Sequence, residues 1–226
     1  MSSRVILLAK QERFSREAQA IAEAAFGPDL ATYTGAVGDP EPDALQTDSP
    51  EYLISFLSPW IVRKHSLDRA GAAINFHPGS TDYPGIGCYN FALYEGASEF
   101  GAVCHHMLAK VDTGDLIMER RFPVLPDDTV ETLKLRTMET MVDMFREIVA
   151  LIAAGRPLPR ADVHWTRRPF TRREMEALKV IEHDMPKDEI DRRVRATVYP
   201  GYPGPVMRLP DGGTYAFPVP DRPPIA

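Results

Sequence analysis

Asn75 and His77 stand two residues apart, after the apolar Ala72, Ala73 and Ile74 and just before Pro78, Gly79, Pro84, Gly85 and Gly87. The apolar run reads as the end of a buried strand, and the glycines and prolines end regular structure at once. In an extended backbone, residues two apart point to the same face, so one bound group can meet both side chains. Asn75 offers an amide donor that does not titrate, and His77 offers a donor or proton carrier near neutral pH. Together they suit a developing oxyanion. The pair alone also fits a plainer duty, with Asn75 capping a turn and His77 packing on a loop, since loops collect such residues for turn geometry.

Other residues with chemistry to offer are fewer. The apolar strand over residues 101–108 carries His105 and His106 side by side, and adjacent strand residues face opposite sides, so at most one belongs to a site. A zinc site gathering His77, Cys88, Cys104, His105 and Asp112 lacks the usual paired ligand spacings, so no metal is expected. Asp112 lies in the loop Lys110, Val111, Asp112, Thr113, Gly114, between that strand and another over residues 116–122. Trp60, behind the break at Ser58 and Pro59, reads either as a pocket wall or as a core indole.

The elements that must position these residues alternate between strand and helix. Residues 4–9 read as a buried parallel strand and residues 14–26 as an amphipathic helix with Ser15 as its cap. The intervening turn, AKQERFS, holds no glycine, so no backbone phosphate cradle is expected there. Residues 27–50 form a loop-rich crossing with one short strand at 30–37; residues 52–57 form a second buried strand, and residues 89–94 suit a helix. Asp128 and Glu131 make a capping-box pattern ahead of a long helix that ends at Gly155. Thr171 and Glu174 make another for a helix running to about His183, and a short helix follows over 186–196. YPGYPGP then stops regular structure, and Asp211-Gly212-Gly213 reads as a hairpin turn between residues 206–209 and 214–217.

Composition narrows the possibilities. The chain has 226 residues, 44% of them hydrophobic, enough for one globular unit with a small appendage. A net charge of -6 argues against a sequence-independent grip on nucleic acid. No window reaches the length of a membrane span, no leader is seen before the first strand, and two cysteines beside apolar sequence suit free thiols in the cytoplasm.

Set in INFHPGSTDYPG and, further on, DTGDLI, Asn75, His77 and Asp112 resemble the catalytic motif of the 10-formyltetrahydrofolate-dependent formyltransferases. The resemblance covers roughly residues 50–125. It implies an α/β fold, a Rossmann-like sheet flanked by helices, with residues 1–160 as catalytic domain and 161–226 as a small helical and β-hairpin subdomain. It also implies that Asn75 and His77 stabilise the tetrahedral oxyanion while Asp112 orients His77 and handles protons. By the same resemblance Trp60, Ile61, Val62, Lys110 and Val111 border 10-formyltetrahydrofolate, and Tyr83, Gly85 and Tyr89 border the amine substrate. Among the branches, the glycinamide ribonucleotide enzymes carry a glycine-rich loop that AKQERFS lacks, and the methionyl-tRNA enzymes add a long basic domain that this acidic chain lacks. ISFLSPWIV, YPGIGCYNFALYEG and CHHM are similar to the nucleotide-sugar N-formyltransferases. A small-molecule nucleotide sugar as substrate and a homodimer are the matching expectations. GSTD departs from the SLLP that the wider family favours after the proline, which leaves the sugar open.

Overall fold

A computed structural model of the chain describes residues 4–225; residues 1–3 and 226, which the boundaries 1–160 and 161–226 include, lie outside the described residues. Its centre is a six-stranded sheet in the order β2-β1-β3-β4-β5-β6. The strands are β1 (Val5–Lys10), β2 (Leu30–Gly35), β3 (Tyr52–Phe56), β4 (Ala72–His77), β5 (Glu99–His106) and β6 (Leu116–Pro123). The first four run parallel, while β5 is antiparallel to β4 and β6 to β5.

The two faces of this sheet are covered unequally, and the difference positions the site. Period-two alternation sends Val5, Leu7, Ile54, Phe56, Ile74 and Phe76 to one face. There they pack under two long helices, α1 (Arg13–Phe26) and α5 (Val130–Ala153). Phe56, Phe76 and Phe145 meet with ring centres 5.1 to 5.8 Å apart, tilted or edge-on as aromatic quadrupoles prefer. Ile6, Leu8, Leu53 and Ala73 go to the opposite face, where among the described residues the helices beside them are the four-residue α2 (Ala44–Thr47) and α3 (Lys64–Leu67). Helices that short cannot roof the whole face, and further along it presents the polar Ser55, Asn75, His77 and His105.

Helix α4 (Cys88–Glu95) follows the glycine-rich segment, and the chain ends in α6 (Arg172–Leu178), β7 (Val180–Glu182), α7 (Lys187–Thr197), β8 (Val206–Arg208) and β9 (Thr214–Ala216). The hairpin at Asp211-Gly212-Gly213 forms as expected, but β7 joins it in parallel to make three strands. The expected helix to His183 therefore stops at Leu178: Ile181 is fully buried, and the β-branched pair Val180-Ile181 gains more by pairing with β8 than by extending a surface helix. Thr171 and Glu174 cap α6 reciprocally, as read from the sequence.

Two other caps differ from expectation. Ser15 does not cap α1; its backbone N–H donates to the Glu12 carboxylate at 2.6 Å, and Glu12 is the cap. The capping box of α5 is Thr129 with Thr132 rather than Asp128 with Glu131. Asp128 instead takes the N–H of Leu125 at 2.6 Å and the hydroxyl of Thr132 at 2.9 Å, and Glu131 accepts from Arg222 at 2.5 Å. The threonines sit one position later in the turn, where the geometry of reciprocal capping is met.

Residues 154–171 strap the second sheet to the first. Ala161 N–H donates to Leu116 C=O at 2.9 Å, Thr166 N–H to Thr81 C=O at 3.2 Å and Phe170 N–H to Pro84 C=O at 2.9 Å. Phe170 then stacks on Phe91 with ring centres 3.9 Å apart. Cys88 and Cys104 are free and buried, and burial pushes the Cys88 thiol up to about 12. Among the described residues, no helix is long and apolar enough to cross a membrane.

Candidate active site

Strand register assembles the polar cluster. Ser55 of β3 lies opposite Asn75 of β4, and Asn75 lies opposite His105 of β5, so three polar side chains form one rung on the thinly covered face. His77 follows two residues after Asn75 on that face. A bulge between Cys104 and His105 in the pairing with β6 lies where β5 carries its histidines. Of the two neighbouring histidines only His105 joins the cluster, which settles what alternation alone left open.

The geometry is tight and buried. His77, His105 and Asp112 expose 5%, 2% and 8% of their surface. Asp112 Oδ2 accepts from Gly85 N–H at 2.9 Å and stands 3.4 Å from His77 Nδ1, while Oδ1 stands 3.3 Å from His105 Nε2. His77 Nε2 donates to the Tyr83 carbonyl at 3.0 Å, and His105 Nδ1 donates to the His106 carbonyl at 2.8 Å. With that Nδ1–H fixed, His105 Nε2 either accepts from the Asn75 amide, 3.2 Å away, or donates to Asp112. Burial pushes the Asp112 carboxyl up, but the charge of His77, the hydrogen bond and charge of His105 and the Gly85 N–H outweigh it. The carboxyl is held well below the usual range, so Asp112 is an anion that only accepts.

The backbone is shaped to permit this. Asp112 adopts φ 47, a left-handed conformation that Asp tolerates better than most residues, and it is kept there by the Gly85 contact. At Gly79 an added Cβ would stand 2.6 Å from His77 Nε2 and 2.8 Å from the Tyr83 carbonyl oxygen, so only glycine admits the His77–Tyr83 bond.

A cavity of about 330 Å³ opens on the rung. Its polar end holds Ser55, Asn75, His77, His105 and Asp112, and its wall is apolar: Leu57, Trp60, Val62, Met107, Leu108 and Val111. Ile61 and Gly85 also border it. The Trp60 indole is held by donation from Nε1 to the Asp39 carbonyl at 3.1 Å, so this residue is a fixed wall.

Three residues expected at a ligand stand elsewhere among the described residues. Lys110 is exposed and outside the cavity wall. Tyr83 gives the site its carbonyl, but its ring is buried against Phe100, with centres 5.7 Å apart. Tyr89 also packs against Phe100, with centres 5.7 Å apart, and its hydroxyl is buried and unbonded at a second cavity that it lines with Asn90. The turn at Ser80–Tyr83 sends Tyr83 toward the core, and helix α4 does the same for Tyr89. Ser55, Met107, Leu108 and Trp165 went unnoticed: cross-strand register brings Ser55 to the cavity, and Met107 and Leu108 reach it from the segment just past β5. Trp165 had one visible signal, a lone indole in a polar, exposed run.

The GSTD departure has a structural counterpart. Thr81 donates from its N–H and its hydroxyl to Glu119 Oε1 at 2.9 and 3.1 Å, and Arg121 reaches Thr81 at 2.8 Å and Asp82 at 2.7 Å. Ser80 and Thr81 expose 0% and 2% of their surface. The polar loop is thus matched to polar residues of β6 and turns away from the cavity.

A sequence profile described as formyl transferase matches residues 12–149, more than half of the chain. The chain belongs to the formyl transferase family. It is 27% identical over 193 residues to the methionyl-tRNA formyltransferase of Geobacillus thermodenitrificans, covering 82% of this chain and 53% of that protein. To the GDP-perosamine N-formyltransferase of Brucella melitensis biotype 1 it is 27% identical over 151 residues, 65% of this chain and 55% of that one. The chain spans about half the length of the curated relatives it matches. In fold it is similar to the Helicobacter canadensis N-formyltransferase solved with folinic acid and dTDP-3-aminofucose, with TM-score 0.68, 15% identity, and coverage of 87% of this chain and 81% of that one. The α/β formyltransferase fold expected from the sequence is the fold observed.

Proposed function

We propose that this protein is an N-formyltransferase that moves a formyl group from 10-formyltetrahydrofolate to the amine of a nucleotide-linked amino sugar, with Asn75, His77 and Asp112 as its catalytic residues. The observation that carries this reading is their convergence at the polar end of an otherwise apolar cavity of about 330 Å³. Trp60, Val62, Met107 and Leu108 suit a flat pterin ring, and the polar rung lies where its formyl group would be presented. The cosubstrate supplies the formyl carbon that the amine attacks.

The residues divide the work. The Asn75 amide can donate to the formyl oxygen as negative charge develops on it, and a carbonyl entering the cavity competes with Tyr83 for the Nε2–H of His77. Asp112, an anion held by Gly85, fixes the His77 ring from its other nitrogen and offsets positive charge on that ring when it carries a proton. Other donors of this type are each worth about 2.7 to 4 kcal/mol of transition-state stabilisation. The amino sugar is favoured over transfer RNA by the net charge of -6, and over glycinamide ribonucleotide by the lack of glycine in AKQERFS. The competing function is a folate-binding module without turnover, against which all three polar residues stand. From the sequence we add a cytoplasmic location, a homodimer, and a division into a catalytic domain over residues 1–160 and a subdomain over 161–226. The test is mass-spectrometric detection of the formylated sugar together with tetrahydrofolate release across a panel of nucleotide-linked amino sugars. Folate binding with no product from any of them would favour the module.

A further inference from the structure

The strap over residues 154–171 is exposed along most of its length, yet Trp165 turns inward from between exposed neighbours. It does not turn into an apolar core. Its ring lies edge-on to both imidazoles of the candidate site, 5.2 Å from His105 with planes at 82° and 6.0 Å from His77 at 73°. Its indole N–H donates to the Gly114 carbonyl at 2.9 Å, two residues from Asp112 in the loop that holds Asp112 at φ 47. One side chain thus touches two of the three groups and restrains the loop of the third. The strap itself is pinned on both sides, by Ala161 to Leu116 at 2.9 Å and by Thr166, whose hydroxyl donates to Asp82 at 2.9 Å. Among the described residues Trp165 is not in the cavity wall, so it acts through the histidines and the loop and not on a ligand.

We propose that Trp165 is a positioning residue: it keeps His77, His105 and the Asp112 loop in mutual register, and so makes the strap a part of the site. The kinetic arm of its test rests on the formyl-transfer reading; the spectroscopic arm does not. A bland alternative is that Trp165 anchors the strap and nothing more. An anchor needs apolar neighbours, whereas this indole spends its hydrogen bond on the Asp112 loop and its ring on two imidazoles.

The full chain is compared with Trp165→Phe, which keeps most of the ring and loses the N–H, and Trp165→Leu, which loses both. Ring-nitrogen NMR shifts of His77 and His105 report their hydrogen bonding directly, beside kcat, the folate KM and the melting temperature. For Trp165→Leu we expect the nitrogen signals of both histidines to move and kcat to fall about tenfold or more, as small misplacements of reacting groups do, with the folate KM within about threefold. Trp165→Phe should lie between, with the signals shifted less and kcat reduced severalfold. A Trp165→Leu protein with a lower melting temperature but unchanged nitrogen signals and kcat would return Trp165 to the role of anchor. Should Trp165→Leu not fold, unchanged signals and kcat in Trp165→Phe would overturn the proposal equally. If the unmodified protein formylates nothing, the functional reading falls while the NMR comparison still decides this one.

Discussion

Replacing Asp112 by Asn changes one atom and removes one charge, which isolates what the carboxylate does. Asn tolerates the left-handed φ of 47 at least as well as Asp, so the backbone is not the variable. Its single acceptor can keep the 2.9 Å contact with Gly85 N–H and stay 3.4 Å from His77, now as a neutral oxygen, which leaves the amide NH₂ facing His105, whose ring nitrogen is 3.3 Å from the other carboxylate oxygen in the parent. Charge-assisted contacts are worth about 1.5–3 kcal/mol, but both distances are long and desolvating the anion offsets part of the gain, so a net loss of about 1–2 kcal/mol at neutral pH is expected. The pH dependence fixes the cause. A carboxyl held below its unfolded value stabilises fully above the unfolded pKa, about 3.9, and loses that contribution as pH falls toward the folded one. The stability difference between parent and Asp112→Asn should therefore shrink by about 1.4 kcal/mol per pH unit below about pH 4, since the other carboxylates are common to both proteins. Urea unfolding followed by fluorescence between about pH 5 and pH 3 measures it, and turnover at neutral pH should be down by about a hundredfold, or about 2.7 kcal/mol. A difference that stays constant through the acid range would refute the assignment of the lowered carboxyl to Asp112, and near-normal turnover would remove Asp112 from the mechanism.

Asn75→Ala should leave the melting temperature nearly unchanged and lower kcat by about a hundredfold or more; a folded variant at normal rate would take Asn75 out of the oxyanion site. Trp60→Ala should raise the folate KM more than that of the sugar, because the indole forms a cavity wall, whereas an equal rise in both would make Trp60 structural. Phe145→Ala, which breaks the three-ring contact under β3 and β4, should cost about 3–5 kcal/mol in urea unfolding with little change in folate KM for the protein that remains folded. Thr129→Ala should cost about 1 kcal/mol as the cap of α5, while Glu131→Gln should spare the cap and weaken only the contact to Arg222.

Where local pattern decides structure, the sequence was readable. The i, i+2 spacing of Asn75 and His77 on an apolar strand placed both on one face, and the Thr171–Glu174 box set the start of α6. Long-range pairing decided the rest. His105 enters the site because antiparallel register sets it opposite Asn75, and Ser55 because parallel register sets it on the other side; no local window contains either relation. Val180-Ile181 became strand because β8 lay beside it. Tyr83 and Tyr89 shared a segment with the site yet packed on Phe100, since a helix and a turn choose the buried direction for large rings. Asp128 and Glu131 had the composition of a capping box, but Arg136 and Arg222 claimed their carboxylates and left the cap to the threonines.

The central claim is that Asn75, His77 and Asp112 act together on a formyl group presented from the apolar cavity. Its most direct measurement is single-turnover formation of the N-formyl product from 10-formyltetrahydrofolate and a nucleotide-linked amino sugar, by the parent protein and by Asn75→Ala, at saturating folate. The parent should form product stoichiometric with released tetrahydrofolate, and Asn75→Ala should bind folate with similar affinity while forming product about a hundredfold more slowly. Equal product formation by both proteins, or tetrahydrofolate release without any formylated sugar, would contradict it.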